Sequence, residues 1–207
     1  MLTARPRGFT IIELMFGIAL FALLMLLAMP TFTTLLQNSR LRGATDSILA
    51  GLQMARTEAL RRNQTVEFLL SADDLDTPGN GAGLTVNASG PGWAVRALDP
   101  AGLSIAFVEG RSGLEGSGQA DPAAIYAQMN ASSLPPLTNT IRFDGLGRTN
   151  VGVANATFDV TPSDASTCKA SGGNMRCLRV VVTASGRVRM CDPSVNPVLN
   201  PNDTRAC

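Results

Sequence analysis

The side chains able to do chemistry in this chain are four cysteines, one carboxylate in an apolar run, an acidic loop and an arginine pair. Cys168, Cys177, Cys191 and Cys207 are separated by 9, 14 and 16 residues. There is no C-x-x-C and no His to complete a zinc set, so disulfide formation is the chemistry they suit. Three pairings are possible. Cys168–Cys177 with Cys191–Cys207 is favoured, because each bond closes a local loop. The first clamps a Ser-Gly-Gly-Asn turn and the second ties a Pro-rich tail to a strand. Each bond contributes about 2–4 kcal/mol. The absence of His removes Ser-His-Asp and Cys-His nucleophile pairs and His general bases. Asp73, Asp74 and Asp76 lie in a Gly/Pro loop without the full spacing of a Ca²⁺ loop, and read as solvated. No catalytic residue, metal or cofactor is expected, and an enzyme is the least expected class.

Glu13 is the last charged residue before Arg40. Residues 14–36 carry no charge, and 14–29 are almost purely Leu, Ile, Met, Phe and Ala. At about 1.5 Å per residue, twenty such residues span a bilayer core. Arg5 and Arg7 precede the run, which puts the N-terminal side in the cytoplasm and whatever follows on the oxidising side. A carboxylate at the head of such a helix costs several kcal/mol in lipid unless it is paired. Pro30 lies one bilayer width along and can loosen the helix locally.

Beyond Pro30 the pattern becomes amphipathic. Leu41, Ala44, Ile48, Leu52, Ala55 and Ala59 recur at steps of three or four and make one apolar stripe. The spacing predicts a helix over 9–62 whose second half packs on a head domain. Gly43 and Gly51 weaken it by about 1 kcal/mol each relative to Ala. From Gln64 short β-like runs alternate with Gly, Pro, Asn and Asp clusters. Strands are expected at 65–70, 93–98, 103–108, 140–143, 157–160, 178–183 and 187–190. Residues 73–91 read as a loop or hairpin tip, and 110–136 as irregular with a helical turn at 123–129. The fold class is therefore α+β, one long N-terminal helix on an antiparallel β-sheet head.

The segment Gly8-Phe9-Thr10-Ile11-Ile12-Glu13-Leu14-Met15 follows a short basic leader. It resembles the type III signal of type IV pilins and pseudopilins. The resemblance implies cleavage between Gly8 and Phe9 by a prepilin peptidase, methylation of the new Phe9 amine, and pairing of Glu13 with such an amine during subunit packing. It divides the chain into a leader (1–8), a pilin helix (9–62, membrane part about 14–36) and a periplasmic head (63–207) with a disulfide-tied tail. Residues 53–63, QMARTEALRRN, resemble the end of this helix in the FimT, FimU and GspH pilin-like proteins. The implied function is that of a minor pilin in the inner membrane, with inner-membrane lipid and other minor and major pilins as partners. It joins or primes a pilus tip. The alternative is the H-type minor pseudopilin of type II secretion.

A net charge of +1 conceals an uneven head. Residues 64–130 hold two arginines against eight acids, and 141–191 hold seven basic residues against three. Ser185-Gly186-Arg187-Val188-Arg189 matches the GRxR pattern of FimT-type minor pilins, which the resemblance associates with DNA binding through its arginines. In an extended segment Arg187 and Arg189 share one face, about 6.6 Å apart, and can take phosphate oxygens. Two such arginines left solvated on a strand are the plainer reading. DNA is thus a further partner to be tested. Arg142, Arg148, Arg176 and Arg179 are candidates to widen the patch.

Overall fold

A computed structural model describes residues 10–73, 75, 79–112, 125–130, 139–152 and 155–207, without the side chains of 26–31 and 130. Helix α1 (Ile11–Arg62) starts where Thr10 Oγ1 receives the backbone N–H of Glu13 at 3.3 Å, satisfying a donor that the first turn leaves open. It stops at Asn63, whose φ of 50° is a left-handed cap. In its last turn Arg61 and Arg62 both bind Glu58, each at 2.7 Å. The chain divides into two compact units, Met1–Gln37 and Asn38–Cys207.

In the first unit the helix presents Ile11, Ile12, Leu14, Met15, Phe16 and Ile18 to its surface, all more than half exposed. Among the described residues no helix is long and apolar enough to cross a membrane. The expected membrane part, 14–36, includes 26–31, whose side chains lie outside the described residues, Pro30 among them. The backbone is helical through that segment.

Among its described residues the second unit contains nine strands: β1 (Val66–Ser71), β2 (Ser89–Gly90), β3 (Gly92–Leu98), β4 (Ser104–Arg111), β5 (Ile125–Asn130), β6 (Thr140–Phe143), β7 (Ala156–Pro162), β8 (Leu178–Val182) and β9 (Val188–Cys191). They form two sheets, ordered β4-β3-β1-β6 and β2-β5-β7-β8-β9, with every strand pair antiparallel. The predicted helical stripe, Leu41 to Ala59, is fully buried. It packs in one core with alternate residues of both sheets, such as Phe68, Trp93, Ile141, Phe158 and Val180. Each side chain of this size contributes about 1.5–3 kcal/mol when buried.

Gly51 has a packing role that composition does not reveal. A Cβ there would stand 2.9 Å from the Phe68 ring and 3.0 Å from that of Trp93. Those rings stack with centroids 5.8 Å apart, and Trp93 Nε1 donates to Ser47 Oγ at 2.9 Å. The helix accepts the lower propensity of Gly because the aromatic pair needs the room.

Two expectations need correction. Over 125–129 the expected helical turn is replaced by β5, which pairs with β7 and β2 and buries Ile125, Ala127 and Met129 in strict alternation, while 123–124 lie outside the described residues. Tertiary pairing overrides the local helical preference of Ala and Met there. The loop at 73–91 contains the two-residue strand β2. In that loop Asp73 accepts the backbone N–H of Thr85 and the hydroxyl of Ser71. The Thr85 N–H is the main reason its carboxyl sits below the usual carboxylate range. Asp74 and Asp76 lie outside the described residues.

Candidate functional site

Gly8 and Phe9 lie outside the described residues. Glu13 occupies the first turn of α1 in the first unit, exposed among apolar side chains. A carboxylate near a helix N-terminus meets a favourable dipole, and the Thr10 cap frees its side chain from capping its own turn.

In the second unit Ser185, Gly186 and Arg187 lie in the turn between β8 and β9, and Val188 and Arg189 begin β9. The Thr183 and Gly186 backbone N–H groups donate to Arg187 O and Thr183 O at 3.0 and 2.9 Å. Gly186 adopts φ 75°. The turn after β6 is built the same way around Asp144. Asp144 Oδ1 accepts the N–H groups of Leu146 and Arg148, both at 2.9 Å, and Gly147 adopts φ 74°. Desolvation pushes the Asp144 carboxyl up, but those N–H groups and the Arg148 guanidinium outweigh it and hold the group below its ordinary value. The two turns are joined. Thr149 donates its N–H to Ala184 O at 3.0 Å and its hydroxyl to Thr183 O at 2.9 Å. Since β6 belongs to one sheet and β8–β9 to the other, this contact ties the sheets together. The side chain of Arg56 from α1 lies beneath both turns, its Nε 3.1 Å and 3.3 Å from where Cβ atoms on Gly147 and Gly186 would be. That nitrogen is buried and has no acceptor among the described residues.

The expected pair of open arginines is not formed. Arg187 precedes β9 and is exposed. Arg189, within β9, is half-buried and donates through Nη1 to Ala206 O at 3.1 Å and through Nη2 to Cys207 O at 3.3 Å. Nor does the basic region make an open patch. Arg142 binds Glu67, Arg148 binds Asp144, Arg176 binds Asp192 and Arg179 binds Asp159. A count of charges in sequence could not reveal most of those pairings, because except for the Asp144–Arg148 pair within one turn the partners are distant in sequence.

Two disulfides are present, Cys168–Cys177 and Cys191–Cys207, with Cα atoms 5.4 and 5.2 Å apart. The first closes a turn in which the Lys169 N–H donates to Met175 O at 2.7 Å and the Met175 N–H donates to Thr167 O at 2.8 Å. The second lays residues 205–206 beside the end of β9, where Asp192 N–H donates to Arg205 O at 2.7 Å and Asp192 pairs with Ala206. An open edge strand is an aggregation template, and this tail covers part of one.

The family described as "Type II transport protein GspH" matches residues 44–186, which run from the helix stripe to the Gly186 turn. The chain belongs to the GspH family. The prokaryotic N-terminal methylation motif matches residues 3–29. With both matches, this GspH-family chain is a minor pilin or pseudopilin. Its α+β fold is the type IV pilin-like one, a helix followed by an antiparallel head. Among solved structures, it is similar to the type IV minor pilin FimU of Pseudomonas aeruginosa (15% identity, TM-score 0.49, covering 73% of this chain and 88% of that one). It is also similar to the minor pseudopilin EpsH from the type 2 secretion system of Vibrio cholerae (12%, 0.43, 72% and 94%) and to E. coli GspH (13%, 0.39, 75% and 89%). No curated protein sequence matches the chain.

Proposed function

We propose that this chain is a minor pilin of the FimT/FimU kind that joins or primes the tip of a pilus-like filament and has no catalytic role. The observation that carries the reading is the union in one chain of a methylation motif over 3–29 and a GspH-family head over 44–186. A prepilin peptidase cuts between Gly8 and Phe9 and methylates the new amine. The segment 14–36 is held in inner-membrane lipid with the head in the periplasm. The exposed apolar side chains along the first unit support this, since they have no protein cover of their own. Two disulfides suit an oxidising compartment. Glu13 then pairs with the Phe9 amine of its own or a neighbouring subunit, which removes an uncompensated charge from lipid.

The second reading is the H-type minor pseudopilin of type II secretion, favoured by the description of the matching family. Deleting the gene in its host separates the two: loss of surface pili with protein export intact supports the pilin, and loss of exported proteins with pili intact supports the pseudopilin. Glu13→Ala tests the shared step. It is expected to be cleaved normally yet to be missing from purified filaments, and normal incorporation contradicts the role of Glu13.

A further inference from the structure

A cavity of about 440 Å³ opens in the second unit. Leu178, Met190 and Cys191 give it an apolar lining, and Arg42, Arg176 and Arg205 add three guanidiniums from α1, the segment before β8 and the tail. Asp192, the one carboxylate in the lining, has a side chain 4% exposed and already takes three hydrogen bonds. It accepts from Arg176 Nε at 3.0 Å, from the Ser194 N–H at 2.9 Å and from Ser194 Oγ at 2.6 Å. Nearby, Asp203 binds Arg205 at 2.7 Å, and Asp46 stands 4.0 Å from Arg42. The Arg42–Asp46 pair is solvent-exposed and holds its partner weakly, whereas the half-buried Asp203 takes two nitrogens of Arg205 and is the firmer pair. A guanidinium carries five N–H donors, and Arg176 uses one on Asp192 while Arg205 uses two nitrogens on Asp203. Donors therefore remain on both.

The cavity combines an apolar lining with arginine donors, which is the chemistry of an amphiphile with a phosphate head. Its position in the chain agrees. Asn38, which also lines it, follows Leu36, the last residue of the uncharged run, by two positions. Asn38 Oδ1 accepts the Arg176 N–H at 2.8 Å, closing one wall. We propose that the cavity binds the headgroup of an anionic phospholipid from the leaflet next to the head. The phosphate takes bidentate contacts from the arginines, and the glycerol and first acyl carbons lie over Leu178 and Met190. The inference rests on the reading of 14–36 as membrane-held. Such a contact tethers the head to the bilayer before assembly and is given up when the subunit enters a filament.

The test is lipid retention by the full chain purified in neutral detergent, read by native mass spectrometry with added phosphatidylglycerol or phosphatidylcholine. The wild type is expected to retain phosphatidylglycerol in preference. Arg42→Gln with Arg205→Gln is expected to reduce that retention by about thirtyfold, as for two cations removed from an anionic surface. Both side chains are more than half exposed, so the fold is kept. Arg187→Gln is expected to behave as wild type. No preference for phosphatidylglycerol, or equal retention by the double variant, overturns the assignment. Equal retention with lost filament entry assigns the cavity to a neighbouring subunit and overturns it also. Reconstitution into vesicles keeps the two claims apart: failure to insert removes the membrane reading and this inference together, whereas insertion without lipid preference removes only the inference.

Discussion

Gly186 lies against Gly147 so closely that a Cβ on Gly186 would overlap the Gly147 carbonyl oxygen. The two residues are the left-handed positions of two turns, one from each sheet. Gly186→Ala therefore meets both backbone strain at φ 75° and a steric block. Strain alone costs about 1–2 kcal/mol, so a loss of at least about 2 kcal/mol is expected. Chemical unfolding measures it. A loss under about 0.5 kcal/mol would contradict this account of the joint.

Glu67 is fully buried in the centre of its sheet, with Arg96 opposite it on β3 and Arg142 opposite it on β6. Arg96 Nη2 lies 2.7 Å and Arg142 Nε 2.8 Å from its oxygens. Burial pushes its carboxyl up, but Arg142 and Arg96 together outweigh that and hold it below the ordinary value. A depressed folded value means that this stabilisation is complete above about pH 4.3, the unfolded value, and is lost as pH falls through the folded one. Glu67→Gln is expected to cost about 3 kcal/mol at pH 7, because two arginines lose their counter-charge. Its melting temperature should also fall less steeply than that of wild type below pH 4.3. Parallel pH curves would contradict the role.

The head was legible where periodicity was clean. The stripe from Leu41 to Ala59 and the strand at 140–143 follow directly from spacing. At 123–129 the residue types mislead, because pairing to β7 decides the conformation of a segment with mixed propensity. Arg189 illustrates a different limit. Its alternation with Arg187 is visible in sequence, but its partners are carbonyls of a tail 17 and 18 residues away, brought back by the Cys191–Cys207 bond. Gly51 read as a weak point in the helix because nothing local signals the Phe68–Trp93 stack.

Replacing Cys191 and Cys207 by Ser removes the tie between the tail and β9. A loop of this length predicts a loss of about 3 kcal/mol. Hydrogen exchange at the Asp192 amide, which donates to Arg205 O, should accelerate together with the tail. Unchanged protection would show that the tail is held without the bond.

Of the two motif arginines Arg187 alone is open to a phosphate, so a DNA titration should respond to Arg187 and not to Arg189. With Arg189 held by the tail and Arg142, Arg148, Arg176 and Arg179 paired, a salt titration with duplex DNA is expected to show binding no tighter than on the order of 10⁻⁴ M. Arg187→Gln should flatten the log–log salt slope by about 0.9, the share of one phosphate. Equal losses from Arg189→Gln would contradict the placement of that side chain against the tail.

Processing at the N-terminus tests the account most directly. Mass spectrometry of the protein isolated from its native membrane should find a chain beginning at N-methylated Phe9, with Glu13 five residues in and the apolar helix retained. A chain beginning at Met1, or one beginning beyond Leu36, would contradict it.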